Sequence, residues 1–175
     1  LLRILNDNVA RLDRIVQDVL AIGRGSGAQP ELIDLNAFAL HFVETFCVTE
    51  GLASEVVRVE ITNGATLYFD RTHLHRVLWN LLSNALRHSR QVSGSLVLRV
   101  LLNGGRVELQ VIDDGPGIPE EIRAQIFEPF FTTHAKGTGL GLFIARELCT
   151  ANGASLELVT QSSGGHFVLQ GRSEA

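Results

Sequence analysis

Three short segments of the chain carry residues that could together hold a magnesium–ATP complex. Residues 80–85 have the sequence NLLSNA, residues 113–118 have the sequence DDGPGI, and residues 137–142 have the sequence GTGLGL. They combine an amide-bearing helix, an acidic glycine turn and a glycine-rich helix start. Each pattern is common by itself, but three in this order, each with its flanking residues, predict a nucleotide site.

The first segment places two amides on one face of a predicted helix. Asn80 and Asn84 are four residues apart, and Arg87 lies one turn further on. An amide oxygen suits Mg²⁺, which takes few protein ligands and completes its shell with water and phosphate oxygens. Arg87 is a permanent cation that can bind phosphate oxygens. A merely hydrated polar stripe is the alternative, but it does not explain amides set among Leu78, Leu81, Leu82 and Leu86, because such amides need partners.

The second segment begins where a predicted strand ends. A carboxylate at Asp113 could accept a hydrogen bond from the exocyclic amine of adenine, which would select adenine over guanine. Gly115 and Gly117 would let the backbone approach the base closely. For this segment taken alone, an ordinary turn after a strand is an equal alternative.

The third segment precedes a predicted helix that begins at Leu140. Successive backbone N–H groups at a helix start form an anion site that suits phosphates. Lys136 and Thr138 add a charge and a hydroxyl close by. The segment is not a P-loop, because no Gly-Lys-Ser/Thr follows at the required spacing.

Hydrophobic periodicity predicts the elements that position these segments. Residues 1–22 have a heptad spacing that favours a helix in a bundle, with an ordinary amphipathic helix as the alternative, and residues 23–30 are a linker. A helix capped by Asp34 or Asn36 is closed by Gly51. Strands over residues 56–61 and 66–69 are joined by a turn at Asn63-Gly64. Asp70 caps a long helix that runs to about His88.

The rest of the chain alternates in the same way. Hairpins are predicted over residues 96–112 and 156–170, with a short helix from Pro119 to Phe127 and a longer one from Leu140 to Ala151. This order of helices and strand pairs predicts a two-layer α/β sandwich, with helices on one face of a mixed sheet. Residues 31–175 are expected to form this one domain.

Composition narrows the class of protein. The chain of 175 residues is 45% hydrophobic and 19% charged, which is typical of a soluble globular protein. A net charge of −4 gives no reason to expect nucleic acid as a partner. Cys47 and Cys149 lie in apolar contexts and are expected to be buried free thiols in a reducing compartment. No apolar run approaches the ~18 residues that span a bilayer, and the start at Leu1 suggests a fragment.

These segments resemble the ATP-binding domain of sensor histidine kinases, whose superfamily also contains gyrase, mismatch-repair and heat-shock chaperone ATPases. Residues 80–89 are similar to the asparagine box, and residues 113–118 and 137–142 to the two glycine boxes. Phe127-Glu-Pro-Phe-Phe131 is similar to the phenylalanine box. The resemblance implies the Bergerat-type sandwich. A short ATP lid over residues 128–136, with residues 142–149, most resembles the nitrogen-regulation and type IV pilus sensors.

The resemblance also implies roles for individual residues. Asn80 and Arg87 would be catalytic residues that contact phosphates, Asn84 the Mg²⁺ ligand, His88 the ring beside them, and Asp113 the residue that recognises adenine. The full nucleotide-binding set would be Asn80, Asn84, Arg87, His88, Asp113, Gly115, Gly117, Ile118, Phe131, Lys136, Gly137, Thr138, Gly139, Leu140 and Gly141.

Cofactors and partners follow from the same resemblance. ATP and Mg²⁺ would be bound, and the γ-phosphate would pass to a histidine on a dimerisation helix and then to an aspartate of a response regulator receiver domain. Residues 1–22 resemble the second helix of that dimerisation hairpin, and the heptad helix contains none of the six histidines. The expected protein is therefore a cytoplasmic catalytic fragment without membrane or nucleic-acid contact, from a homodimeric parent that an inner-membrane anchor could hold.

Two other functions use the same fold. An ATPase clamp of the gyrase type needs a glutamate base one turn before the Mg²⁺ ligand, but Asn80 occupies that position and an amide cannot accept the proton. A free-standing Ser/Thr-directed anti-sigma kinase has no need of the heptad helix, and the intact sequence segments argue against a domain that only binds nucleotide.

Overall fold

The computed structural model describes Val16 and residues 27–134 and 137–173. The predicted helix over residues 1–22 therefore lies outside the described residues, apart from Val16. Within the described ranges the elements run in the order β1 (Glu31–Asp34), α1 (Leu35–Glu50), β2 (Val57–Ile61), β3 (Thr66–Phe69), α2 (Arg71–His88), β4 (Leu96–Asn103), β5 (Arg106–Asp113), α3 (Gly141–Ala151), β6 (Ser155–Leu158) and β7 (His166–Arg172).

Five strands form one mixed sheet in the order β2-β4-β5-β7-β6. β2 runs parallel to β4, and the other neighbouring pairs are antiparallel. α1 packs on β2, α2 packs on β4 and β5, and α3 packs on β6 and on α2. Alternate strand residues such as Leu98 of β4 and Leu109 of β5 are buried in the same core as the helices, which confirms the predicted sandwich.

Helix α2 has the sequence pattern that this layering requires. Its cap Asp70 accepts a hydrogen bond from the His73 amide at 3.0 Å, as predicted. Each large side chain removed from water contributes about 1.5–3 kcal/mol, so packing rather than helix propensity stabilises α2. The buried positions recur at helical spacing and are Leu74, Val77, Leu78, Leu81, Leu82 and Ala85.

The predicted limits of α1 are confirmed as well. Asp34 Oδ1 accepts hydrogen bonds from the amides of Asn36 at 2.8 Å and Ala37 at 3.2 Å. Gly51 closes the helix, and the next amide, Leu52, donates to Cys47 O at 2.9 Å. Cys47 and Cys149 are both free and buried, and burial raises the pKa of the Cys149 thiol to about 12.

The two strands that the predicted Asn63-Gly64 turn joins do not pair with each other. The turn is present, but β2 joins the large sheet beside β4, whereas β3 pairs with β1 in a separate two-stranded sheet. The short turn signal is local, while the partner of each strand is set by contacts with residues distant in the chain. The sequence pattern also gave no sign that residues 31–34 form a strand.

The predicted helix from Pro119 to Phe127 is also wrong in extent. A single 3-10 turn at Glu120–Ile122 is followed by turns up to Phe127. Pro119 supports the first turn, since its carbonyl accepts from the Ile122 amide at 3.2 Å. No helix among the described residues is both long and apolar enough to cross a membrane.

The start of α2 is fixed to the end of α3 by one amide side chain. Asn152 Oδ1 accepts from the Asp70 amide at 2.8 Å, and Asn152 Nδ2 donates to Leu148 O at 2.8 Å. The same Nδ2 lies 3.0 Å from His73 Nδ1. Asn152 thus ties together the two helices that carry the candidate site.

We expect Asn152→Ala to lower the free energy of unfolding by about 1–3 kcal/mol, because it leaves half-buried polar groups without partners. Urea denaturation measures this difference. Asn63→Ala, at an exposed turn, is the matched control and should change stability by no more than about 0.5 kcal/mol. Equal effects of the two substitutions would contradict the assigned role of Asn152.

Candidate nucleotide site

Asp113 ends β5 in an almost fully buried position, with 7% of the residue exposed. Its Oδ1 atom accepts hydrogen bonds from the amides of Gly115 at 2.9 Å and Gly165 at 3.1 Å. These two bonds fix the orientation of the carboxylate. Burial raises the pKa of Asp113, although the hydrogen bonds from the two glycine amides act in the opposite direction.

Two glycines of the β6–β7 hairpin make room for this carboxylate. A side chain at Gly165 would collide with Asp113 Oδ2, and a side chain at Gly164 would collide with the Asp113 backbone carbonyl. The sequence pattern predicts these residues only as part of a hairpin turn. The repeated glycine was the one available signal, and it does not distinguish a turn from a close approach to a residue 52 positions away.

Helix α2 brings the other predicted side chains to the same region. Asn80 Nδ2 donates to Gly141 O at 3.1 Å, so α2 contacts the third sequence segment directly. Asn84 is half-buried one turn later on the same face. Asn80 therefore lies beside the start of α3, and Asn84 shares its helix face, as the spacing predicted.

The last turn of α2 contacts the second sequence segment. A side chain at Gly115 would collide with the His88 backbone carbonyl, so this glycine lets the two backbones touch. Although much of His88 is accessible, desolvation lowers its pKa, and the adjacent Arg87 acts in the same direction. The imidazole is therefore mainly neutral at neutral pH, and the permanent charge at this end of α2 is that of the exposed Arg87.

Helix α3 begins without a side-chain cap on its first amides. Thr138 Oγ1 accepts from the Leu140 amide at 3.3 Å, just before the helix. Gly137 lies against Thr132, and Leu140 is buried in the core. Uncapped amide groups at a helix start can bind an anion.

The base of the predicted lid contains a close contact between two backbone segments. Gly139 has a φ of +72°, and the Phe130 backbone leaves no space for a side chain there. Phe130 is 67% exposed, whereas Phe131 packs partly against the core. Phe127 lies under the Arg146 guanidinium at 4.9 Å and packs against Phe167, which joins the phenylalanine segment to α3 and β7.

The structure thus brings most of the predicted site residues to one region around α2. Gly117 and Ile118 continue the turn after Asp113, where Gly117 approaches the Ser163 carbonyl of the β6–β7 hairpin. Ile118 is half-buried and packs on the core. Lys136, also predicted to bind nucleotide, lies outside the described residues.

Comparison with known proteins agrees with this geometry. Residues 69–170 match the family described as "Histidine kinase-, DNA gyrase B-, and HSP90-like ATPase". The match covers more than half of the chain and includes nearly all of the site described above. The chain belongs to this family of ATPase domains.

Individual relatives narrow the likeness to the sensor histidine kinases. The sensor protein kinase PilS of Pseudomonas aeruginosa is 35% identical over 172 residues, which are 94% of this chain but 32% of PilS. The chain therefore spans about a third of the length of this relative. This likeness agrees with the predicted resemblance to sensor histidine kinases.

Solved structures confirm the fold. The histidine kinase ThkA in complex with the response regulator TrrA matches 98% of this chain and 50% of that chain, with a TM-score of 0.77 at 25% identity. Full-length ShkA in complex with AMPPNP matches 97% of this chain and 37% of that chain, with a TM-score of 0.74 at 26% identity.

We expect Gly165→Ala to weaken binding of an ATP analogue by at least about tenfold, because the new methyl group displaces the Asp113 carboxylate. Isothermal titration calorimetry measures the affinity. Gly27→Ala is the matched control, since a Cβ there meets no atom within 4 Å. An unchanged affinity in Gly165→Ala would show that the position of Asp113 does not govern nucleotide binding.

We also expect the affinity for an ATP analogue to fall on acidification, starting at a higher pH than an ordinary aspartate would give. Burial raises the pKa of Asp113, and protonation would remove the acceptor that the sequence predicts for adenine. The contribution of Asp113 to folding has the opposite sign: it stabilises the fold below the unfolded-state pKa, and this is lost as the pH rises through the folded-state pKa. Calorimetry across acidic pH tests the binding effect, and an equal pH dependence in Asp113→Asn would contradict it.

Proposed function

We propose that this chain is the ATP-binding catalytic part of a two-component sensor histidine kinase. The observation that carries the proposal is the fixed Asp113 carboxylate, with Oδ1 held by two backbone amides, at one end of a site whose other end is the uncapped start of α3. Helix α2 contacts both ends, through Asn80 and His88.

The base is recognised at Asp113. Because Oδ1 already accepts two hydrogen bonds, Oδ2 is the atom that receives the exocyclic amine of adenine. Guanine presents a carbonyl oxygen at the corresponding position and would repel the carboxylate. Gly115, Gly117 and Ile118 form the backbone turn and the apolar wall beside the base.

The phosphates lie between the end of α2 and the start of α3. Asn80 and Arg87 contact phosphate oxygens, the neutral His88 ring lies beside them, and backbone amides at the start of α3 bind the terminal phosphates. Lys136, Thr138 and Phe131 complete this part of the site.

The residues present fit a magnesium ion that is shared with the nucleotide. No three His, Cys, Asp or Glu side chains come together in the part of the chain that the structure describes. Mg²⁺ needs only one or two protein ligands when phosphate oxygens and water supply the rest, so Asn84 is a sufficient ligand. The ion would neutralise charge that develops on the phosphates during transfer.

The reaction proposed is phosphoryl transfer to a histidine outside the described domain. A bond forms between the γ-phosphorus and an imidazole nitrogen as the bond from that phosphorus to the leaving ADP oxygen breaks. The phosphoryl group then passes to an aspartate oxygen of a receiver domain. The chain's own contribution is to orient the triphosphate and to place the Arg87 charge beside it.

The proposed partners follow from the same reading of the chain. Residues 1–22 would form the second helix of a dimerisation hairpin, residues 23–30 the linker and residues 31–175 the catalytic domain of a homodimeric parent. The complex of ThkA with a response regulator supports a receiver domain as partner. The buried free thiols support a reducing, cytoplasmic location.

An ATPase clamp or an anti-sigma kinase receives less support. Asn80 stands where a clamp would need its general base, and its amide nitrogen already donates to Gly141. Steady ATP hydrolysis without an acceptor hairpin would favour the clamp.

The test is transfer of labelled γ-phosphate from ATP to a separately supplied dimerisation hairpin that carries an acceptor histidine. We expect transfer with the unaltered chain. Asp113→Asn keeps an oxygen that accepts from Gly115 and Gly165 but loses the oxygen that accepts from adenine. Affinity for an ATP analogue should therefore fall about 10–100-fold. The preference for the ATP analogue over a GTP analogue should decrease. In Asn84→Ala, Mg²⁺ should no longer raise the affinity.

The control is the same hairpin with its histidine replaced by alanine, which should remain unlabelled. Binding of the ATP analogue without any transfer to the intact hairpin would contradict the kinase assignment. Failure of the unaltered chain to bind the analogue would contradict the nucleotide site itself.

A further inference from the structure

The residue after the adenine-recognising aspartate binds the segment that follows α2. Asp114 Oδ1 accepts from the Arg90 amide at 2.9 Å, and Asp114 Oδ2 accepts from Arg90 Nε at 2.9 Å and from Ser95 Oγ at 3.0 Å. The Asp114 amide in turn donates to Ser95 O at 3.1 Å. We call Asp114, Arg90 and Ser95 the Asp114 clamp.

The segment held by the clamp is also fixed to the end of α2. Ser89 Oγ donates to Leu86 O at 3.1 Å, and Gln91 Nε2 donates to the same carbonyl at 3.2 Å. Ser95 is 2% exposed, and its Oγ accepts from the Val92 amide at 2.9 Å. Residues 89–95 therefore connect the last turn of α2 rigidly to the turn after β5.

The ion pair between Arg90 and Asp114 does not have the features of a stabilising core interaction. The Arg90 side chain is 75% exposed, and exposed ion pairs contribute little to folding. Instead, the three hydrogen bonds that Asp114 accepts, two of them from Arg90, fix the orientation of its carboxylate relative to Arg90, because charge-assisted bonds have a restricted geometry. The same bonds lower the pKa of Asp114, chiefly through the Arg90 amide, so the carboxylate stays charged to lower pH than usual.

The clamp lies between the two halves of the proposed site. Asp113 precedes Asp114 directly, whereas Arg87 and His88 lie just before Arg90 at the end of α2. Gly115 touches the His88 carbonyl, so these two parts of the backbone are already in contact and a small slide would change their alignment.

We propose that Asp114 is a positioning residue that sets the spacing between the adenine-recognising carboxylate and the phosphate-contacting end of α2. The proposal rests on the proposed function, since it assigns these two halves to one nucleotide. A ligand that contacts both halves of the site requires this spacing, whereas a ligand that contacts only the adenine-recognising half does not. Misplacement of reacting or binding groups by about 1 Å can cost as much as 100-fold.

The experiment compares an ATP analogue with adenosine on the 175-residue chain. Asp114→Ala should weaken binding of the ATP analogue by about tenfold, as measured by calorimetry. It should change adenosine affinity, measured by NMR titration, by less than about twofold, because adenosine makes no phosphate contact. Asp114→Asn, which can still accept from the Arg90 amide, should recover most of the loss.

Arg90→Ala gives a second variant in case Asp114→Ala unfolds. It should weaken binding of the ATP analogue but not of adenosine. The loss should be smaller than in Asp114→Ala, because the Arg90 backbone amide still binds Asp114. Glu60→Ala is the matched control: it also breaks a surface pair with an arginine, Arg99, but on β2 and β4. Glu60→Ala should leave both affinities unchanged.

The outcomes separate the two proposals. Equal losses of affinity for the ATP analogue and for adenosine, or no loss of affinity for either, would overturn the positioning role while leaving the proposed function intact. If the unaltered chain binds neither ligand, the proposed function fails, and the positioning role fails with it.

Discussion

A carboxylate that is removed from water must be hydrogen-bonded, and Asp113 meets this requirement in a way that shapes the surrounding structure. Two backbone amides, from Gly115 on its own turn and Gly165 on the opposite hairpin, take one oxygen. The approach of Gly165 requires the absence of a side chain, and the approach of Gly115 to His88 requires the same. Burial raises the cost of ionisation, and the amide bonds offset part of that cost. The result is a charged acceptor with one defined direction, which is what selective recognition of an amine needs.

Helix α2 extends this local constraint over the whole site. The apolar face of α2 packs in the sandwich core, and this packing fixes the orientation of its polar face. Asn80 on this polar face binds the start of α3, and the final turn meets the Asp113 turn. In the proposed complex, contacts to one helix would position both ends of the nucleotide, although the segments involved are separated by many residues in the chain. The lid residues proposed for the site belong to a loop in which the Phe130 backbone lies against Gly139.

The parts predicted from sequence are those governed by local physical chemistry. Asp34, Gly51 and Asp70 end or begin helices through bonds within a few residues, and the face shared by Asn80 and Asn84 follows from helical periodicity. The sheet partners of β2 and β3 depend on distant strands, so the Asn63-Gly64 turn, which is predicted from sequence, does not show which strands pair. Gly164 and Gly165 were predicted only as turn residues because their reason for being glycine, the carboxylate of Asp113, lies on another strand. Pro119 correctly indicated a turn start but could not show that the following residues lack the packing to continue a helix.

The central claim is that Asp113 Oδ2 receives the adenine amine while α2 and the start of α3 bind the phosphates. The most direct measurement is a crystal structure of this chain with a non-hydrolysable ATP analogue and Mg²⁺. We expect the adenine amine about 3 Å from Asp113 Oδ2, the phosphates beside Arg87 and residues 137–141, and the ion on Asn84. A nucleotide bound with its base away from Asp113, or with its phosphates at the β6–β7 hairpin, would contradict it.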